Sequence, residues 1–369
     1  MIKLSKSSVG KEEKAALSRV ISNSYLGMGP EVELFEKELK DYIKTSKKVI
    51  AVSSGTAALH LSLQACDINS NHEVLVPSIT YVASFQAITA SGATPVPCDI
   101  DIDTGFIDIL DAKKRLSSKT RAIMPVHYAS NADQMGKVYE FAKKNNLRVI
   151  EDAAHSFGSY FDKYMVGHKG DIICFSFDGI KNITCGEGGA ILTGDKKVFS
   201  KLRDIRLLGV KGDSARRYSK TRSWQFDVEE QGWRYHLSDL FAAMGREQLK
   251  KIDSFKDKRK KVVESYIYNL KKIDGLQLLK INYENNHQHI FPLRVLNKQR
   301  DKLKKYLEEK SIQTGFHYQP NHLLSKFKTK YRLKNSEIFG EEILSLPLHP
   351  ELTKKDINHV INSIKSFFD

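Results

Sequence analysis

The sequence predicts an α/β protein, in which a large unit holds a mostly parallel seven-stranded sheet flanked by helices and a smaller α+β unit follows. Three observations carry this. Seven short apolar runs alternate with stretches of helical period between residues 49 and 193, a pattern that places strands in one sheet with helices on its faces. From about Ser238 the pattern changes to one long helical stretch and then to a mixture of helix and strand. Finally, 369 residues exceed what a single core usually holds. The expected division is 1–245 and 246–369.

Taken in order, residues 11–22 read as an amphipathic helix and residues 25–30 as a glycine-bearing turn. The next helix turns Val32, Leu34, Phe35 and Leu39 to one side. Strands are expected at Val49–Ser53, Glu73–Pro77, Thr94–Asp99, Arg121–Val126, Arg148–Glu151, Asp171–Phe177 and Ala190–Thr193. Helical stretches such as Thr56–Ala65 and Met135–Asn145 lie between them. The long helix opens at Ser238-Asp239 and runs, with a break, to about Lys272. A strand at His289–Val295, a helix near Arg300–Lys310 and a last helix at Thr353–Phe367 complete the smaller unit.

Ligands of open parallel sheets collect at the carboxyl ends of the strands. Gly55 and Thr56, Tyr81, His127, Asp152, and Ser176 with Lys181 all fall at that edge, which argues for one site. Lys181 follows the apolar run Ile172-Ile173-Cys174-Phe175 in a turn of small residues. A desolvated lysine loses part of its affinity for a proton, and its free amine attacks carbonyls. The segment alone equally describes a loop lysine beside a glycine turn. Glu151-Asp152-Ala153-Ala154-His155 adds a carboxylate at a neighbouring strand end. Pyridoxal phosphate chemistry requires both: a lysine for the aldehyde and a carboxylate to keep the ring nitrogen protonated. Gly55-Thr56 opens a helix directly after a strand, an anion site by virtue of its backbone N–H groups.

Gly27-Met28-Gly29-Pro30, Ser53 to Leu59, Glu151 to His155, Ser176 to Gly189, Ser238-Asp239, His317 to His322 and Leu344 to Pro347 occur in this order along nearly the whole chain. In this the sequence resembles the DegT/DnrJ/EryC1/StrS sugar aminotransferases, pyridoxal-phosphate enzymes of aspartate-aminotransferase fold. The resemblance implies that Lys181 joins the cofactor aldehyde and later acts as the base, and that Asp152 meets the pyridine nitrogen. It also implies that Gly55, Thr56 and Ser176 hold the phosphate, that Tyr81 stacks on the ring and that His155 lies near the ring hydroxyl. Met28, His317 and Tyr318 are the implied substrate contacts. Taken singly, Tyr81 also reads as a core aromatic, Asp152 as a helix cap and His155 as a structural histidine. Two positions depart from the family's pattern. Asp178 replaces the usual His or aromatic, and Arg234 stands where relatives carry an Asn that reaches the cofactor phosphate of the neighbouring subunit. The implied assembly is a homodimer with shared sites.

The implied reaction moves an amino group, through the pyridoxamine form, from an amino acid such as glutamate to a nucleotide-linked 4-keto-6-deoxy sugar, as in O-antigen or lipopolysaccharide biosynthesis. A dehydratase of the same family, or a regulatory binding protein on the same fold, is the rival. The first carries a histidine in place of Lys181, and the second has no use for such a lysine. The net charge of +15 is spread along the chain, and the lysines of 250–261 interleave with apolar residues at helical spacing. That pattern favours a field attracting a diphosphate-bearing small molecule over nucleic-acid binding. No apolar run reaches a membrane span and residues 1–6 lack the core of a signal peptide, so a cytoplasmic protein is expected. Cys66, Cys98, Cys174 and Cys185 lack metal-site spacing, and His287 with His289 have no third partner nearby, so no metal is expected.

Overall fold

Strand residues send alternate side chains to opposite faces, and here both faces are buried. In β1 (Lys48–Val52), Val49 and Ala51 enter one core while Ile50 and Val52 enter the other. The computed structural model describes residues 1–222 and 224–369. β2 (Glu73–Pro77), β3 (Thr94–Cys98), β4 (Thr120–Ile123) and β5 (Arg148–Asp152) follow, then a two-residue hairpin of β6 (Tyr160–Phe161) and β7 (Tyr164–Met165). β8 (Ile172–Ser176) and β9 (Gly189–Thr193) complete the large sheet, whose order is β1-β9-β8-β5-β4-β2-β3. Only β9 runs against its neighbours. The seven expected strands are all present and the mostly parallel sheet is confirmed.

Helices Gly55–Ala65, Ala83–Ala90 and Lys196–Ile205 cover one face, contributing Leu59, Leu63, Phe85 and Leu202 to its core. Pro30–Ile43, Met135–Lys144 and Asp239–Lys250 cover the other with Phe35, Leu39, Phe141 and Ala242. The long helix opens at Ser238, whose hydroxyl caps it, and breaks at Lys251 before resuming as Ile252–Leu270. Beyond it β10 (Leu276–Leu278), β11 (Phe291–Val295) and β12 (Ile343–Leu346) form an antiparallel sheet. Helices Arg300–Glu309 and Lys354–Phe368 pack there on a separate core that includes Phe291, Leu303 and Val360. The chain's first residues cross to this region, where Ile2 bridges Ile312 and the Leu4 carbonyl accepts from the Leu348 N–H.

One buried ion pair stitches the β1 edge to three helical segments. Arg206 has no exposed surface. Its guanidinium donates to Glu36 Oε1 at 2.6 Å, to the Ala51 carbonyl at 2.9 Å and to the Tyr218 hydroxyl at 2.6 Å. Tyr218 in turn donates to Glu36 Oε2, and Glu36 Oε1 also accepts from the Ala51 N–H. Removing one partner of such a pair leaves the other charge buried and costs about 3–5 kcal/mol. Arg206→Ala is therefore expected to lower unfolding free energy by that amount in urea titrations. Arg206→Met combined with Glu36→Leu should recover part of it. A loss under about 1 kcal/mol would show that the pair contributes little.

Candidate active site

The expected residues meet in one cleft at the carboxyl edge of the large sheet. A cavity of about 420 Å³ is lined by Gly55, Thr56, Tyr81, Asp152, His155, Ser176, Lys181, His317 and Tyr318, together with Thr80, Asp178 and Glu187. Local structure explains each arrival. Ser54 caps helix Gly55–Ala65, accepting from the Ala57 N–H at 3.1 Å. The N–H groups at the head of that helix have no partner within it. A Cβ on Gly55 would lie 2.8 Å from Ser176 Cβ, so only glycine lets the helix start sit against the end of β8. Ser176 thereby brings its hydroxyl to the same anion-binding corner.

Asp152 ends β5 with both carboxylate oxygens oriented. Oδ2 accepts from the Ser84 hydroxyl at 2.7 Å and Oδ1 from the Ala154 N–H at 3.2 Å. Thr80 lies 2.8 Å from Ser84 Oγ. Sequence reading passed over Ser84; its signal was a hydroxyl in the first turn of a helix four residues after Thr80. Lys181 sits in the loop between β8 and β9, its N–H donating to the Asp178 carbonyl at 3.1 Å. Burial pulls its ammonium below the usual lysine range, against the opposing pull of Asp152 and Asp178.

The small unit supplies the opposite wall. Tyr318 and His155 Nε2 are hydrogen-bonded at 2.9 Å, and His317 Nδ1 meets Ser345 Oγ at 2.8 Å. Burial, and then the charges of Lys181, His317 and His127, hold His155 well below the usual imidazole range. Among the described residues His155 Nδ1 has no hydrogen-bond partner. Tyr81 is 61% exposed and lines the cleft, its ring 5.8 Å from that of Tyr318.

Three residues fall elsewhere. His127 is buried behind the sheet, with Nδ1 at 2.8 Å from Ser156 Oγ and Nε2 at 3.3 Å from Glu151. Met28 is fully buried in the core beside Val32 and Phe35, because Asp239 binds the N–H groups of Gly29 and Val32 and donates its own N–H to the Gly27 carbonyl. Arg234 is exposed and does not line the cleft. The carboxylates nearest in sequence are engaged by lysines, Glu229 by Lys211 and Glu230 by Lys201. Among the described residues no cluster of metal-ligating side chains occurs, and no helix is long and apolar enough to cross a membrane.

A mostly parallel seven-stranded sheet with a desolvated lysine facing a strand-end carboxylate is the framework of a pyridoxal-phosphate-dependent transferase. The family profile of the DegT/DnrJ/EryC1/StrS aminotransferases matches residues 7–365, and the chain belongs to that family. It is 33% identical over 367 residues to an uncharacterised protein of Methanocaldococcus jannaschii, covering 97% of this chain and 95% of that one. Among solved structures it is similar to DesV of S. venezuelae in complex with a ketimine intermediate (32% identity, TM-score 0.89, 97% and 94% covered). It is also similar to Helicobacter pylori PseC, an aminotransferase involved in the biosynthesis of pseudoaminic acid (28%, 0.90, 100% and 99%). A further structural relative from Streptococcus pneumoniae is known in PLP and PMP forms. The chain is thus a pyridoxal-phosphate-dependent sugar aminotransferase acting between amino-acid and sugar substrates. Its donor set fits the cofactor: the N–H groups of the helix start at Gly55 for a phosphate, a carboxylate oriented by Ser84 at Asp152 and a buried lysine amine at Lys181.

The buried histidines make the cleft sensitive to acid. Burial and the Lys181 charge lower His317 to about 4. A depressed imidazole adds stability that is complete above its unfolded value near 6.5 and is lost as pH falls through the folded one. Unfolding free energy is expected to drop between pH 6.5 and 4 by on the order of 1–3 kcal/mol. His317→Gln should flatten that part of the profile in urea titrations across pH; an unchanged slope would assign the loss to other groups.

Proposed function

We propose that this aminotransferase carries an amino group from an amino acid, glutamate in the first instance, to a nucleotide-linked 4-keto-6-deoxy sugar destined for a surface glycan such as O-antigen. The supporting observation is the convergence of Lys181, Asp152, Ser176 and the Gly55–Thr56 helix start on one cleft, in a chain whose net charge of +15 draws in a diphosphate. PseC's association with an amino sugar acid is consistent with such an acceptor. Residues 1–245 make the cofactor-holding unit, and 246–369 bring His317 and Tyr318 to the substrate side. The test is a screen of dTDP-, UDP- and GDP-keto-deoxysugars against the aminated enzyme, with products identified by mass and NMR. Turnover of none of them, with free keto sugars accepted instead, would overturn the nucleotide-linked reading.

Bound pyridoxal phosphate supplies a reactive carbonyl carbon and an electron-withdrawing ring. The N–H groups of Gly55 and Thr56 and the Ser176 hydroxyl would bind its phosphate. Asp152, fixed by Ser84 and the Ala154 N–H, keeps a proton on the ring nitrogen. Tyr81 would cover one ring face, and His155, which lines the cleft, would lie near the ring hydroxyl. Lys181 Nζ, whose burial disfavours its charged form, would move a proton between the substrate carbon and the cofactor.

Lys181→Ala should abolish turnover while cofactor binding persists, and borohydride should link the wild-type cofactor to Lys181. Asp152→Asn should keep the fold and slow the first half-reaction by about a thousandfold or more, in line with other losses of a correctly protonated catalytic group. Stopped-flow rates with glutamate measure it, and a loss below about tenfold would make Asp152 structural.

Arg234 is proposed to serve the other subunit of a twofold homodimer. Its side chain faces solvent in its own chain, while an isologous interface brings the same segment to the partner's cleft. A charge-assisted bond to the phosphate contributes about 1.5–3 kcal/mol of cofactor affinity. Mixing Arg234→Ala with Lys181→Ala subunits decides the matter. A trans role restores up to half of wild-type activity, because one site regains both residues. A cis role leaves every mixed dimer as inactive as the single variants.

A further inference from the structure

Helix Ile252–Leu270 carries a buried arginine that the scheme above leaves unused. Arg259 is 4% exposed, and among the described residues no carboxylate offsets its charge. A guanidinium taken out of water without a counter-charge is strongly disfavoured, so the bonds it does make indicate what it is kept for. Nη1 donates to the Asn182 carbonyl at 3.3 Å and to His287 Nε2 at 3.2 Å, and Nη2 donates to the Lys181 carbonyl at 3.3 Å. The ring of contacts then closes. Asn182 Nδ2 donates to the His287 carbonyl at 2.6 Å, a carbonyl that also accepts from Ser130 at 2.9 Å, and the His287 N–H donates to Ser159 Oγ at 2.8 Å. Burial and the neighbouring Arg259 and Lys256 charges hold His287 well below the usual imidazole range, which keeps Nε2 free to accept.

We propose that Arg259, locked in place by His287, is a positioning residue for Lys181. The planar fork of an arginine spans two successive carbonyls, which the single ammonium of lysine does not. It fixes the peptide on the carboxyl side of Lys181, and so the direction of the amine, to the helix that joins the two units. His287 and Asn182 hold the fork and the peptide to each other, so the turn does not rotate about Lys181. The inference rests on the reading of Lys181 as the reactive lysine.

The holoenzyme and its Arg259→Lys, His287→Gln and His287→Leu forms test it by four readouts: the lysine trapped by borohydride, the first half-reaction with glutamate, the pH midpoint of the visible cofactor band, and Tm. Arg259→Lys is expected to slow the half-reaction at saturating glutamate by roughly ten- to a hundredfold, the scale of a small misplacement of reacting groups. The glutamate concentration for half-maximal rate should stay within about threefold, and the pH midpoint of the band should move. His287→Gln, whose amide oxygen still accepts from Arg259, should stay within about fivefold of wild type, whereas His287→Leu should match Arg259→Lys. A folded Arg259→Lys within about twofold of wild type, with an unmoved pH midpoint and only a lowered Tm, overturns the proposal and leaves Arg259 structural. If Arg259→Lys does not fold, equal rates for His287→Gln and His287→Leu overturn it and unequal rates support it. Trapping of the wild-type cofactor on another lysine sinks the reading of Lys181 itself, an outcome separate from failure at Arg259.

Discussion

Three chain segments must meet closer than side chains allow. A Cβ on Gly189 would lie 2.5 Å from the Ser54 carbonyl oxygen, and one on Gly55 would lie 2.8 Å from Ser176 Cβ. With glycine at both positions, the start of helix Gly55–Ala65 settles onto the ends of β8 and β9. Everything at the sheet edge is placed relative to that seat. Because β8 and β9 are antiparallel neighbours, the chain passes from Ser176 to Gly189 without a crossover helix. The loop between them remains over the edge, carrying Lys181. The other neighbour of β8 is β5, which ends in Asp152. Strand order alone therefore sets lysine, carboxylate and anion-binding corner around one opening.

The electrostatics follow from the same burial. His155, His287 and His289 are all held well below the ordinary imidazole range, with burial as the leading cause in each case. The Lys181 amine is likewise disfavoured as a cation by burial, while Asp152 and Asp178 are the acids that oppose this. A lysine surrounded by water would hold its proton too firmly to act as a base near neutral pH. The histidine-rich wall provides polar contacts without adding fixed positive charge beside it.

Much of this was legible in the sequence, and the reasons differ by element. The seven strands of the large sheet are apolar runs bounded by turn residues, so their positions followed within a few residues. β4 was expected to reach Val126 but is regular only to Ile123, although pairing with its neighbours continues past it, the Met124 N–H donating to the Leu75 carbonyl and Val126 bridging Asp152. The hairpin of β6 and β7 has two residues per strand and no period to detect. Helix Lys196–Ile205 was passed over although Asp195 caps it and Val198, Leu202 and Ile205 recur at helical spacing. β12 was visible as Leu344-Ser345-Leu346-Pro347 yet not as a strand, since its pairing with β11 spans some fifty residues of chain. The site's primary side chains lie at strand ends and were found from them. Ser84 and Arg259 act through partners distant in sequence, Asp152 and the Lys181 turn, and no local pattern announces such contacts.

The single chain also leaves one part of its cleft uncovered, in conflict with what amino transfer demands. Tyr81 and Ile180 line the opening while 61% and 39% exposed. Chemistry at a carbon that briefly carries excess electron density needs water held away from it. The small unit already closes the other side, where Tyr318 reaches His155 across the cleft. Arg234 is an exposed cation in a segment whose backbone runs beside the anion corner, with the Tyr235 carbonyl accepting from the Ser53 N–H at 2.7 Å. Its own side chain does not line its own cleft. In the homodimer proposed above, a second copy related by twofold symmetry would cover Tyr81 and bring this cation to the anion corner from one surface. In such an assembly cofactor retention would depend on subunit association.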